Sequence, residues 1–483
     1  MPKILPLLFL LLLLFPGVSC AQDREAIENG LVRAVRINGE AVKTHNILDR
    51  MALHHVPGVS IAVIRGDSVH WAKGYGIANS DLGTVVDENT LFQAGSISKP
   101  IAALAALKLA DQGTVDLDLD VNQYLSRWKI PDNEFNKNEK VTLRRILSHT
   151  AGLTVHGFPG YTATDSFPSD LSVLNGKGNT PPILNDAVPG ATWRYSGGGY
   201  TVMENIIEEV SGKPFHLFMR DEILNPLGMS RSTYEQPLPT ALHHEASGAY
   251  DATGTLVSGW WHNYPEQAAA GLWTTPSDLA RYMLAIQSIS RNKQAGILSV
   301  EMTKEMVTRQ KNNWGLGPKL AGDGDSLLFG HGGKNAGFTN DMIAWVYRGE
   351  GVVIMTNGDN GGRIIAEIYR ALSSEYGWNL AQQKTVDRLP LDDIDIQDLP
   401  GNYQLFKATP DTPDITIEIA FDGEELIALV SIQKQSYRMI HTGKLKFTDP
   451  DTSDEISFVK AGDPGTWSFI WNGMYRFVKM NAD

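Results

Sequence analysis

Apolar residues along this chain fall into two textures, one per region. Residues 59–65 and 68–75 read as two strands, and Gly66-Asp67 between them has the composition of a two-residue turn, so the pattern predicts a hairpin. Strand character returns late, at 339–347 and 352–356, joined through Arg348-Gly349-Glu350-Gly351, with a helix following near 362–376. Between these ends the apolar spacing is helical, at 100–111, 142–148, 200–211, 214–225 and 277–289. Strands at both ends with helices in the middle predict an α+β domain. One antiparallel sheet is drawn from both ends of the segment, with helices packed on it and a helical subdomain inserted.

The texture changes near Asp387. A proline- and aspartate-bearing linker runs from Leu389 through Pro400-Gly401 to a turn at Tyr403. Short alternating runs follow at 415–420, 425–430, 444–447, 455–459, 468–471 and 475–478. Short strands separated by turn residues predict a small all-β unit, a barrel or a sandwich, serving as scaffold or interface or, on a second reading, gating a cleft. A chain of 483 residues exceeds what one core usually serves. The expected division is a leader over 1–21, a main domain over 22–386 and a C-terminal β-domain over 387–483.

The leader is a separate object. Lys3 supplies a positive start, 4–15 is an apolar run broken by Pro6, and Pro16-Gly17 precedes the small residues Ser19-Cys20-Ala21. This is the pattern of a secretory signal and is too short for a membrane span. Cys20 is the only cysteine, so no intrachain disulfide can form. Two readings stay open: cleavage after Ala21, or a lipoprotein signal with Cys20 lipidated, although Gly17 stands where that pattern prefers leucine. Either way the expected location is outside the cytoplasm, periplasmic or secreted, with membrane attachment only through a lipid at Cys20.

A net charge of −13 without clustered basic residues argues against a nucleic-acid partner. The pairs His54-His55 and His243-His244 are adjacent and lack metal-ligand spacing, so no metal is expected, and no cofactor either. Gly66-Asp67-Ser68-Val69 is a hairpin turn, and no Gly-x-Ser-x-Gly elbow surrounds Ser96.

Chemistry concentrates at Phe92-Gln93-Ala94-Gly95-Ser96-Ile97-Ser98-Lys99, which runs into an apolar helix. Positions i and i+3 share a helix face, so the Ser96 hydroxyl and the Lys99 amine can meet. Ser96 also sits where unpaired N–H groups and the helix dipole favour a developing oxyanion. A hydroxyl becomes a useful nucleophile once a base takes its proton, and a partly desolvated lysine can take part. Taken alone, the same letters describe an N-capping serine and a surface lysine.

Two further blocks change that balance: Arg194-Tyr195-Ser196-Gly197-Gly198-Gly199-Tyr200 before a helix, and Phe329-Gly330-His331-Gly332-Gly333-Lys334 opening a β-like segment. In order and separation the three blocks resemble those of the beta-lactamase-related serine hydrolases. That family includes class C beta-lactamases, D-alanyl-D-alanine carboxypeptidases, D-aminopeptidases and family VIII esterases. The stretches 141–153, containing His149, and 271–279 fit the same resemblance, which covers roughly residues 45–380. It implies a beta-lactamase/transpeptidase-like fold with the active site in the cleft between sheet and helices. It also implies an acyl-enzyme on Ser96, with Tyr195 projecting towards Ser96 and sharing protons with Lys99. Which of Tyr195 and Lys99 is the base stays open. His331-Gly332-Gly333 stands where the family has Lys-Thr-Gly or a His-x-Gly variant. Gly333 would let the strand approach substrate, and the Lys334 N–H would join that of Ser96 in an oxyanion hole. His331 would bond to the Lys99–Tyr195 network or to a substrate carboxylate. The Lys334 side chain either points inward, favouring an anionic substrate, or is solvated.

One departure redirects the substrate. Gly197 stands where beta-lactamases usually have asparagine, whose amide holds the acylamino group, and only a neighbour such as Asn263 or Asn335 could replace it. The expected activity is therefore cleavage of small esters, peptides or D-amino acid amides. The alternatives are a beta-lactamase or carboxypeptidase acting on cell-wall-like substrates, and a penicillin-binding protein that is acylated and turns over slowly.

Overall fold

The structure, a computed structural model, describes residues 16–391, 396–406, 414–431, 435–460 and 467–480. The leader's apolar run, at 4–15, lies outside them. The described part begins with a helix, Pro16–Glu28, that includes Cys20. Contacts divide the chain into two compact units, Leu48–Ile365 and the segment ending at Ile47 together with Ala366–Asp483. The division falls inside the helix Gly361–Tyr376.

Leu48–Ile365 is built on a seven-stranded antiparallel sheet. Its strands, in chain order, are β1 (Gly58–Arg65), β2 (Ser68–Asn79), β3 (Thr84–Val85), β4 (Lys319–Ala321), β5 (Leu328–Asn335), β6 (Phe338–Trp345) and β7 (Gly351–Thr356). The spatial order is β3-β2-β1-β7-β6-β5-β4. The β1–β2 turn has both Gly66 (φ +59°) and Asp67 (φ +67°) in the left-handed region, the geometry that matches strand twist in a two-residue hairpin. β1 and β7, nearly three hundred residues apart, pair with Val59 opposite Thr356 and Ile64 opposite Gly351, so both ends of the segment do build one sheet. These central strands are buried along almost their whole length, which is why they read as continuous apolar runs rather than clean alternation.

The helices lie where their spacing placed them: Ser98–Asp111 (α1), Gly197–Ser211 (α2) and Pro276–Asn292 (α3). The segment expected as one helix over 214–225 is Phe215–Met219 followed by a wider turn at Arg220–Leu224. Every residue of α1 from Ser98 to Leu107 is buried. A helix apolar all round belongs in a core, and its alanines let neighbours pack closely against it. α1 therefore holds whatever sits at its N-terminus in a rigid place.

In the second unit, eight strands close into an antiparallel barrel, from Gly401–Leu405 to Tyr475–Lys479, the last pairing back on the first with Tyr403 opposite Lys479. Two of these strands, Gly401–Leu405 and Gln435–Gly443, lie in segments not read as strands from the sequence. A short parallel pair, Val35–Ile37 with Lys384–Val386, belongs to the same unit.

Candidate active site

A tight turn, Gly95–Ile97, leads directly into α1 and carries Ser96. Three residues per turn bring positions i and i+3 into line, and Lys99 Nζ donates to Ser96 Oγ at 3.1 Å. The same ammonium donates to the Ala269 carbonyl at 2.7 Å. It lies 5.0 Å from the Tyr195 ring centre and 5.7 Å from that of Tyr200. Lys99 is buried (2 % exposed), whereas Ser96 is partly open. Desolvation brings the Lys99 amine down to about 7, so near neutrality much of it is a neutral amine able to accept the serine proton.

Tyr195 enters from the loop before α2. Ser196 caps that helix, its Oγ accepting the Gly199 N–H at 2.9 Å. Burial pushes the Tyr195 phenol up, and the nearby Ser96 hydroxyl offsets this only in part. The phenol oxygen is close to Ser96 yet completes no hydrogen bond among the described residues. The ring stacks on His149 at 4.2 Å and 29°, and faces His156, Trp314 and His331 at 4.9, 5.6 and 6.0 Å.

The third wall is β5. The edge strand β4 pairs only with its first half (Lys319 opposite Gly330, Ala321 opposite Leu328). From His331 onward, side chains alternate: His331, Gly333 and Asn335 are buried, whereas Gly332 and Lys334 are exposed. A Cβ on Gly333 would lie 1.9 Å from the Ala94 carbonyl oxygen, and one on Gly95 (φ +56°) would lie 2.6 Å from the Lys334 nitrogen. Both glycines are thus required for the serine turn to meet the strand, and the Lys334 main-chain nitrogen comes to the Gly95–Ser96 turn. Asn335 and Asn340 fix the junction by donating to the Gln93 side chain and main chain, both at 2.8 Å.

His331 Nδ1 meets the Gly332 carbonyl at 2.5 Å, which makes Nδ1 the donor and leaves Nε2 a lone pair with no hydrogen-bond partner among the described residues. Burial, with Lys99 nearby, holds its imidazole down to about 3 and therefore neutral. The Lys334 ammonium does not enter the site. It pairs with Asp359 at 2.6 Å and also donates to Thr339. Asn335 does not replace the amide absent at Gly197, because its Nδ2 is taken by Gln93 and by the Ala270 carbonyl. A Cβ at Gly197 would lie 2.9 Å from Phe158 and 3.1 Å from the His156 carbonyl.

The structure thus gathers Ser96, Lys99, Tyr195, His331, Gly333 and the main chain of Lys334, and sends only the Lys334 side chain elsewhere. Trp314, His149, His156 and the Ala269 carbonyl belong to the same surroundings and carried no separate sequence signal, apart from the motif around His149. Among the described residues no three His, Cys, Asp or Glu side chains are grouped to hold a metal ion.

A sheet with helices at its sides, and a serine, lysine and tyrosine meeting a glycine-bearing strand, define a class that comparison with known proteins identifies. The beta-lactamase family model matches residues 44–374, and the chain belongs to that family, whose members are serine hydrolases. The chain is similar to Protein flp of Staphylococcus aureus (strain MRSA252), at 24% identity over 317 residues, 63% of this chain. It spans 60% of that relative's own length. Penicillin-binding protein 4 of Amycolatopsis lactamdurans is 26% identical over 377 residues, 73% of this chain and 94% of that protein. The solved structure of the octameric penicillin-binding protein homologue from Pyrococcus abyssi shares the fold, with TM-score 0.61 and 22% identity, over 90% of this chain and 98% of that one.

Proposed function

We propose that this chain is an exported serine hydrolase that forms an acyl-Ser96 intermediate and cleaves small esters, peptides or D-amino acid amides. The observation that carries the reading is the 3.1 Å contact between Lys99 Nζ and Ser96 Oγ, made by an amine that burial brings to the edge of neutrality. In this reading Ser96 Oγ forms a bond to the substrate carbonyl carbon as its proton passes to the neutral Lys99 amine. The oxyanion is held by the N–H groups of Ser96 and Lys334, each donor contributing about 3 kcal/mol. The carbon–leaving-group bond then breaks, and the departing atom takes a proton relayed through Tyr195, whose raised pKa keeps it a phenol rather than a phenolate. Water, losing a proton to the same network, releases the acyl group and restores Ser96. The opposite shifts of the two groups favour Lys99 as base and Tyr195 as relay.

Uncharged substrates suit this strand better than carboxylates. His331 is neutral and offers a lone pair, and the Lys334 ammonium is held by Asp359. The site also has no amide at Gly197. A p-nitrophenyl ester, a D-amino acid amide, a chromogenic cephalosporin and a labelled penicillin offered to the purified protein test this. Turnover of the ester or amide with the beta-lactams slow or inert supports the reading. Rapid cephalosporin hydrolysis instead assigns a beta-lactamase, and lasting penicillin label without turnover assigns a slow penicillin-binding protein. Export rests on Lys3 and the apolar run 4–15; the mass of the mature N-terminus decides between cleavage after Ala21 and a lipid on Cys20.

A further inference from the structure

His149 holds the Tyr195 segment in three ways at once. It ends the short helix Leu143–Leu147 in a left-handed conformation (φ +59°), which turns its carbonyl and its ring towards the same loop. The carbonyl accepts the Arg194 N–H at 2.8 Å, its Nδ1 accepts the Ser196 N–H at 3.1 Å, and its ring lies flat on the Tyr195 ring at 4.2 Å. The main-chain N–H groups of both residues flanking the tyrosine are thus tied to one residue, and the phenol ring rests on that residue's side chain. Trp314 packs edge-on against the imidazole at 4.8 Å and lies 5.6 Å from the tyrosine ring, so it borders both. We propose that His149 is the positioning residue of Tyr195, setting the angle and depth at which the phenol meets Ser96 and Lys99.

The inference rests on the roles proposed above for Ser96 and Tyr195. His149 is not a base in this arrangement. Its Nδ1 lone pair is engaged by Ser196, so a neutral ring carries its hydrogen on Nε2. Burial, with Lys99, His331 and His156 around it, keeps the ring uncharged. It acts through the tyrosine, and misplacement of a reacting group by about 1 Å costs on the order of 100-fold in rate.

The test is a double-mutant cycle on the full-length protein, reading single-turnover acylation by a D-amino acid amide, whose poor leaving group needs the Tyr195 proton, with His149→Ala, Tyr195→Phe and both together. His149→Ala is expected to slow acylation about 100-fold, with substrate affinity changed less than about threefold. In the Tyr195→Phe background the same change should cost less than about threefold, because nothing is left to position. His149→Asn, which keeps an acceptor near Ser196, and His149→Phe, which keeps the ring, should each restore part of the loss, and they carry the cycle should the alanine variant not fold. An equal loss in both backgrounds, or an unchanged rate with alanine, overturns the proposal. Failure of the underlying reading shows up separately, as turnover that survives Ser96→Ala.

Discussion

Replacing Lys99 by methionine should abolish activity and stabilise the protein, because the structure buries an amine that water would otherwise keep charged. Its value falls from 10.5 to about 7 through desolvation. At about 1.4 kcal/mol per pH unit, that gap is a cost to the folded state of roughly 5 kcal/mol wherever both folded and unfolded chains bind the proton, that is, below about pH 7. Above pH 7 the folded chain sheds the proton first and the cost shrinks, to about 2 kcal/mol by pH 9 and to nothing near the unfolded value. Methionine keeps much of the lysine stem's packing but leaves the Ala269 carbonyl without its donor, which takes back about 1–3 kcal/mol. The net expectation is a gain of about 2–4 kcal/mol at pH 6 that falls as pH rises. Urea unfolding followed by tryptophan fluorescence at pH 6 and pH 9 reads it directly, since Trp193 and Trp314 surround the site. A variant no more stable than the parent at pH 6, or a gain that grows with pH, refutes the reasoning.

Three other outcomes follow from the same geometry. The acylation rate constant should rise with pH through about 7 as Lys99 becomes neutral, and a profile flat from pH 5 to 9 points to a different base. Tyr195→Phe should slow amide cleavage far more than p-nitrophenyl ester cleavage, because the poor leaving group needs the relayed proton; equal losses on both substrates contradict the relay role. Gly333→Ala places a methyl 1.9 Å from the Ala94 carbonyl, so it should cost about 1–3 kcal/mol of stability and displace the Ser96 turn from β5. Thermal unfolding and ester turnover unchanged in that variant would show that the close approach is not required.

Much of this was legible in the chain because it is local. The run of alanine and leucine after Ser96 marks a buried helix, and a spacing of three puts lysine over serine whether the turn is tight or regular. The β1–β2 hairpin is likewise written in Gly66-Asp67. Hidden features are short or non-local. Gly401–Leu405 follows Pro400 and reads as a turn until the last barrel strand pairs with it, and Gln435–Gly443 mixes polar residues into its alternation. The direction of the Lys334 side chain stayed open between the site and solvent in the sequence; strand parity accounts for it, since neighbours in a strand point to opposite faces, and its partner Asp359 lies beyond β7 and had no mark in the sequence. Trp314 belongs to no motif and joins the site only by tertiary packing against His149 and His331.

The central claim is that the Ser96 hydroxyl attacks substrate. Incubation with a fluorophosphonate that traps activated serines, followed by intact mass and peptide mapping, tests it most directly. The account predicts one adduct per chain, on the peptide carrying Ser96, absent from Ser96→Ala. A label on another residue, or a Ser96→Ala protein keeping more than about a tenth of the ester turnover, would contradict it.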